Sequence, residues 1–262
     1  MIDSEMKRII EYFDKRVFDH GDTGYSTLFD DNMRSLEIET VRNWLTETDQ
    51  VLDTFCGNGI STLEFATRCR QIVGCDFSEG MIASAKRNLS SRRPPITNLT
   101  FEHRNIMEID NAYMPGQFDT IVSIRGLMIL PTREMQKEAI LKIHGLLPKN
   151  GKFIFIEGYR NGLNVINELR KRFSLKPLSE PWFNNYFEEP ELSDFLHDKF
   201  NVKYERNLDI YFLVSRVLYP AACQSSEPEP NNLCNTVARL LVPYADTEAG
   251  TALLICRCLE KK

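Results

Sequence analysis

The chain has 262 residues, 42% hydrophobic and 26% charged, with 32 basic against 37 acidic residues for a net charge of −5. That length suits one large domain, or one domain with a sizeable insertion, and the acidic balance argues against duplex nucleic acid, which needs a basic surface to displace counterions. No apolar run approaches the roughly 18–20 residues that span a bilayer, and Met1-Ile2-Asp3-Ser4-Glu5 lacks a signal peptide's basic start and apolar core, so a cytoplasmic protein without a membrane span is expected.

In chain order, Ile9, Ile10, Phe13 and Val17 form a helical stripe over 4–18, followed by a polar, glycine-marked stretch at 20–25 and a second helix at 31–45. A strand is predicted at 50–55, a helix at 59–68, a strand at 71–76, a helix at 78–91 and strands at 99–103 and 118–124. A helix at 133–146 and a strand at 151–157 complete the alternation. Strands and helices alternating at this length imply a parallel sheet with helices on both faces. Ser78 stands where an N-cap is wanted, Glu79 complements the positive helix end, and Met81, Ile82, Ala85 and Leu89 share one face. Beyond 160 come helices at 162–173 and 188–199 and a strand at 201–206. An apolar stretch at 211–218, a loop at 224–232, a helix carrying Leu233, Val237, Leu240 and Leu241, and a final strand starting at Leu253 follow. The seven cysteines form no CxxC pair, so buried thiols and no metal are expected.

The densest information lies in Val51-Leu52-Asp53-Thr54-Phe55-Cys56-Gly57-Asn58-Gly59 and in the apolar run Ile72-Val73-Gly74-Cys75 that ends at Asp76. A strand, a glycine turn and a helix, then a strand ending in an acid, is how a doubly wound sheet holds a nucleoside: glycine lets backbone approach the ligand, and the acid accepts from ribose hydroxyls. The third glycine of a dinucleotide fingerprint is missing after Gly59, and no Gly-Lys-Ser/Thr follows for a P-loop. Asp53, inside the turn, would repel phosphate and suits a cation or an ammonium.

With these residues the chain resembles the class I S-adenosylmethionine (SAM) dependent methyltransferases. The segment 51–59 is similar to their motif I, and Gly74-Cys75-Asp76-Phe77-Ser78-Glu79-Gly80-Met81 to the next signature. Gln117-Phe118-Asp119 resembles the entry to their fourth strand, and Leu147-Pro148-Lys149-Asn150-Gly151 the turn into the fifth. Phe55 and Asn150 depart from the commonest pattern. The resemblance implies a single domain over 1–262: a doubly wound α/β fold, with a seven-stranded, mostly parallel sheet, an antiparallel C-terminal edge strand and helices on both faces. A helical cap would occupy 1–45, the SAM-binding core 46–160, and a C-terminal half 161–262, with a helical insertion at about 208–250 packed over the acceptor side.

The same resemblance implies SAM as cofactor and S-adenosylhomocysteine (SAH) as product. Asp53 and the backbone of Gly57, Asn58 and Gly59 would hold the methionine end, Asp76 the ribose hydroxyls, and Met81, Asn105 and Ile106 the adenine, with Phe55, Phe77 and Ser123 as further cofactor contacts. Ser123 and Arg125 follow the fourth strand, where topology places cleft residues; Arg125 suits either an anionic acceptor or a surface ion pair. Glu157, Tyr159 and His20 are the candidate catalysts, and Tyr25 a candidate lid and substrate contact. Ser123-Ile124-Arg125-Gly126 replaces the D/N-P-P-Y of amino-group methylation on bases. The aromatic cluster at 182–187 suggests a capped pocket. The expected activity is methyl transfer to oxygen or nitrogen of a small molecule by a monomer or homodimer; a tRNA or protein methyltransferase, or a non-catalytic SAM-binding subunit, is the alternative.

Overall fold

The computed structural model describes residues 4–225, 227–245 and 250–262, so part of the 208–250 stretch and the first three residues of the expected cap lie outside the described residues. Seven strands, β1 (Gln50–Asp53), β2 (Gln71–Asp76), β3 (Leu99–His103), β4 (Thr120–Ile124), β5 (Lys152–Gly158), β6 (Phe200–Asn207) and β7 (Leu254–Lys261), form one sheet. Their order is β3-β2-β1-β4-β5-β7-β6. Pairings from β3 through β5 are parallel, while β7 runs antiparallel to both neighbours. The antiparallel strand is thus the C-terminal one, one place in from the edge strand β6. Chain order reverses between β1 and β4, which opens the crevice where such sheets take ligands.

Strand residues alternate between two cores, one on each face of the sheet. Leu52, Val73, Ile121, Phe153 and Phe155 enter one, and Val51, Ile72, Val122, Ile154 and Ile156 the other. Each fully buried aliphatic side chain contributes about 1.5–3 kcal/mol, which fixes the register, because a one-residue slip would exchange the two faces.

The helices are α1 (Ser4–His20), α2 (Asp31–Trp44), α3 (Ile60–Phe65), α4 (Glu79–Ser91), α5 (Arg133–Leu146), α6 (Arg160–Arg172), α7 (Glu189–His197), α8 (Asp209–Leu213), α9 (Tyr219–Cys223) and α10 (Leu233–Leu241). Side-chain caps set several starts: Asp30 accepts from Met33 N at 2.9 Å, Ser78 from Met81 N at 3.0 Å, and Thr132 from Met135 N at 3.2 Å. The apolar 211–218 stretch is helical, with a π turn at Val214–Leu218 between α8 and α9. Among the described residues no helix is long and apolar enough to cross a membrane.

Candidate active site

Asp53 ends β1 and Asp76 ends β2, so both carboxylates stand at the carboxyl edge of the sheet with the turn 54–59 between them. Asp76 Oδ2 accepts from Gly57 N at 2.9 Å and Oδ1 from Ser78 N at 3.0 Å, which ties the turn to the start of α4. One acceptor site on each oxygen stays available. Burial, opposed by those two N–H groups, pushes Asp76 up to about 6. Asp53 is 2% exposed and accepts from Thr62 Oγ1 at 2.7 Å. Burial raises it to about 7, with the Asp76 charge adding to the rise. No ion pair reaches it among the described residues. A buried carboxylate without a cation is costly, and a ligand that brings its own ammonium or sulfonium satisfies it.

Glycine is required where the turn meets its roof. Gly57 has φ +53°, and a Cβ there would sit 2.8 Å from Thr27 Cγ2. The roof is the segment after α1, held by Asn58 Nδ2, which donates to Thr23 O at 2.7 Å and Ser26 Oγ at 2.8 Å. Farther along, Ser84 and Arg87 of α4 bind the Asp22 carboxylate, each at 2.7 Å, and Ser78 and Gly80 bind Asp14. The N-terminal segment therefore clamps α4 and the turn together. The departure at Phe55 is also explained: its ring lies against Gly126, where a Cβ would approach within 2.1 Å.

A cavity of about 630 Å³ runs from this turn toward the end of β4. Asp53, Phe55, Gly57, Asn58, Asp76, Phe77, Met81 and Arg125 line it, whereas Gly59, Asn105, Ile106, Ser123 and Tyr25 do not. Gly59, at φ +76°, is the N-cap of α3 and faces Phe101. Asn105 caps a short 3-10 turn by accepting from Met107 N, and Ile106 is core. Tyr25 stacks on Phe29 and reaches Asp31 at 3.3 Å.

None of the three candidate catalysts lines the cavity. Glu157 is fully buried, and its carboxylate accepts from Ser123 Oγ (2.9 Å) and from the backbone N–H groups of Gly126, Leu127 and Met128 (3.2, 3.0 and 3.0 Å). It fixes the loop after β4, and burial raises it to about 7. Tyr159 is buried with its hydroxyl 3.2 Å from Arg257 Nη1, and His20 packs edge-on to Phe29.

Residues 51–151 match the family model described as a methyltransferase domain. The match spans β1 to the turn into β5, which includes Asp53, the glycine turn and Asp76. This stretch, residues 51–151, is a methyltransferase domain of the class I SAM-dependent kind. Among curated relatives, the uncharacterized protein RP028 of Rickettsia prowazekii is 26% identical over 203 residues, 77% of this chain and 70% of that protein. The 23S rRNA (uracil(1939)-C(5))-methyltransferase RlmD of Klebsiella pneumoniae is 34% identical over 80 residues, 30% of this chain and 18% of that one. Among solved structures, the N-methyltransferase NodS of Bradyrhizobium japonicum, in complex with SAH, superposes with a TM-score of 0.60 at 11% identity, covering 99% of each chain; that likeness carries the fold.

SAM is the cofactor of this methyltransferase, and the residues present fit it: the unpaired Asp53 carboxylate for the cationic end, the open acceptor sites of Asp76 for hydroxyls. Beyond the turn the cavity holds residues that sequence reasoning did not single out. Arg34 and Glu37 lie on α2, Asp30 caps it, and Arg216 lies on the π turn; beside them stands Tyr186 of the expected 182–187 aromatic cluster. On α2 these charges fall among apolar residues with no motif to mark them, and the π turn has no sequence signature.

Proposed function

We propose that the chain transfers a methyl group from SAM to an oxygen or nitrogen of a small acceptor held in the far half of the same cavity. The observation that carries this reading is the continuity of the cavity: one space joins Asp53, Gly57 and Asp76 to a wall of Phe183, Tyr186, Met128 and Phe212. SAM held there would supply a methyl carbon activated by its sulfonium, for displacement by the acceptor's lone pair with the carbon–sulfur electron pair staying on sulfur and the acceptor's proton passing to water. The protein's own part is placement and dryness, and effective molarities of about 10⁵ M or more show how far placement alone can go. Asp53 and Asp76 hold the two ends of the nucleoside amino acid. Thr27 and Phe13 roof it. Glu157 is a positioning residue that sets the β4 loop against the acceptor.

A second reading, methylation of RNA, draws on the similarity to RlmD over 80 residues. The net charge of −5 and the roofed, aromatic-lined cavity favour the small acceptor. Calorimetric titration with SAM and SAH is the first test, followed by labelled-methyl transfer into metabolite pools and into total RNA. Binding of both nucleosides with label in the small-molecule fraction is expected; label in RNA alone would reverse the choice of acceptor. Asp76→Ala should weaken SAM binding by about 1–3 kcal/mol, the worth of a buried hydrogen-bonding group, and unchanged affinity would refute the site.

A further inference from the structure

In the acceptor half of the cavity three guanidinium groups, Arg34, Arg125 and Arg216, meet two carboxylates, Asp30 and Glu37. They interact as one group. Arg125 Nε lies 2.9 Å from Glu37 Oε1, and Arg216 Nη2 lies 2.7 Å from Asp30 Oδ2. Asp30 Oδ1 also accepts from Tyr211 OH at 2.6 Å. The Arg34 guanidinium is 8% exposed at the residue level. Burial and then the nearby Arg125 charge lower it, while Glu37, Asp31 and Asp30 act in the opposite sense. Tyr186 is raised by burial, against the nearby positive charges of Arg125 and Arg216.

The protein leaves some donors of each guanidinium without an acceptor. Arg34 Nη2 donates to Gly24 O, Thr27 Oγ1 and Leu28 O, but its buried Nε has no acceptor. The buried Arg216 Nη1 has none either, and Arg125 Nε is too far out of line with Glu37 for a hydrogen bond. Among the described residues no protein group accepts a hydrogen bond from either terminal nitrogen of Arg125.

Two of these guanidiniums are delivered by uncommon backbone. Arg125 has φ +51°, the left-handed region that disfavours side chains with a Cβ. Arg216 sits on a π turn, a rare element found mostly at functional sites. Both irregularities lead to the same space, which is where a local conformational cost points to function.

The geometry points to an acceptor that carries one carboxylate on a largely apolar body, the carboxylate held by Arg125 and Arg216. A planar guanidinium with free terminal N–H groups pairs with a carboxylate through two parallel hydrogen bonds. Phe13, Met128, Ile129, Leu163, Leu178 and Phe183 supply the apolar walls. This inference rests on the methyltransferase reading above and narrows its acceptor.

The test uses matched probes on hexyl, octyl and phenylethyl bodies, each as carboxylate, phosphate monoester and primary alcohol, titrated by calorimetry into SAH-loaded protein. In each set the carboxylate should bind about tenfold or more tighter than the alcohol, as charge-assisted hydrogen bonds are worth. Arg125→Met and Arg216→Met should each erase that margin, read within each variant as the ratio of carboxylate to alcohol affinity. Each substitution orphans a buried carboxylate, so Arg125→Met/Glu37→Gln and Arg216→Met/Asp30→Asn are measured beside them, together with the charge-retaining Arg125→Lys. Alcohols binding as well as carboxylates, phosphates binding tightest, or no probe binding SAH-loaded protein would each overturn the inference and leave cofactor binding intact. Failure of SAH itself to bind would instead remove the reading on which it rests.

Discussion

Asp76 ties the glycine turn to the start of α4 and, in the proposed function, also meets the ligand. Its two oxygens hold Gly57 N and Ser78 N, and their remaining acceptor sites are what ribose hydroxyls need. The same burial gives a pH signature of two opposite signs. Asp53 at about 7, Asp76 at about 6 and Glu157 at about 7 all stand above their ordinary carboxyl values. The folded protein therefore binds more protons than the unfolded chain between about pH 4 and 7, and their contribution to stability is present at acid pH and lost as pH rises through that window. Ligand binding runs the other way, since a carboxylate is the stronger acceptor. The melting temperature without ligand should fall between pH 5 and 7.5, while SAM affinity tightens through pH 6–7, by up to about tenfold per unit for one group; calorimetry in the two series separates them. The placing of Asp53 and Asp76 at strand ends beside the turn was legible because a strand-end acid beside a glycine turn is a pattern of the sequence. Arg34, Glu37 and Arg216 were not, because a charge on an amphipathic helix reads as solvated until its neighbours in space are known.

The loop after β4 is built from the side, by a carboxylate on β5. Glu157 accepts three backbone N–H groups that the loop cannot satisfy itself, so its strand-end position, which suggested a catalyst, serves architecture. Glu157→Gln should cost about 1–3 kcal/mol by setting an amide NH₂ against N–H donors, read as a lower denaturation midpoint, with SAH affinity affected less than acceptor-side binding. The roof over the turn offers a second test. Gly57→Ala combines a left-handed backbone with a Cβ 2.8 Å from Thr27, so the segment after α1 must lift. SAM affinity should drop by about tenfold, as for a lost contact of about 1.4 kcal/mol, and titration of the variant checks it. The strands and helices through β5 were readable because period-two and period-3.6 patterns are both strong there. The 211–218 stretch was not, since a short apolar run fits a strand or a buried helix equally well, and only packing against α10 and α6 decides.

Across the sheet, the two halves differ in how they are closed. From β3 to β5 every pairing except β1–β4 joins strands consecutive in the chain, whereas β5 and β6 are joined only through β7, which bonds both along most of its length. Cys258 sits at the centre, opposite Ile154 on one side and Tyr204 on the other. Cys258→Pro removes an N–H from a strand flanked on both sides, and about 3 kcal/mol or more of destabilisation is expected; a fall in the urea midpoint, with loss of protection from amide exchange in β5 and β6, checks it. The order in which the ribosome delivers these strands follows from the same arrangement. Some 96 residues separate the end of β5 from the start of β7, which at about 5–20 residues per second is roughly 5–20 s of synthesis. Through that interval Phe153 to Ile156 present an apolar edge with no partner, and β6 emerges with nothing to pair against. The nascent protein thus carries a sticky half-sheet for seconds, and its yield in the cell will depend on what shields that edge until β7 arrives.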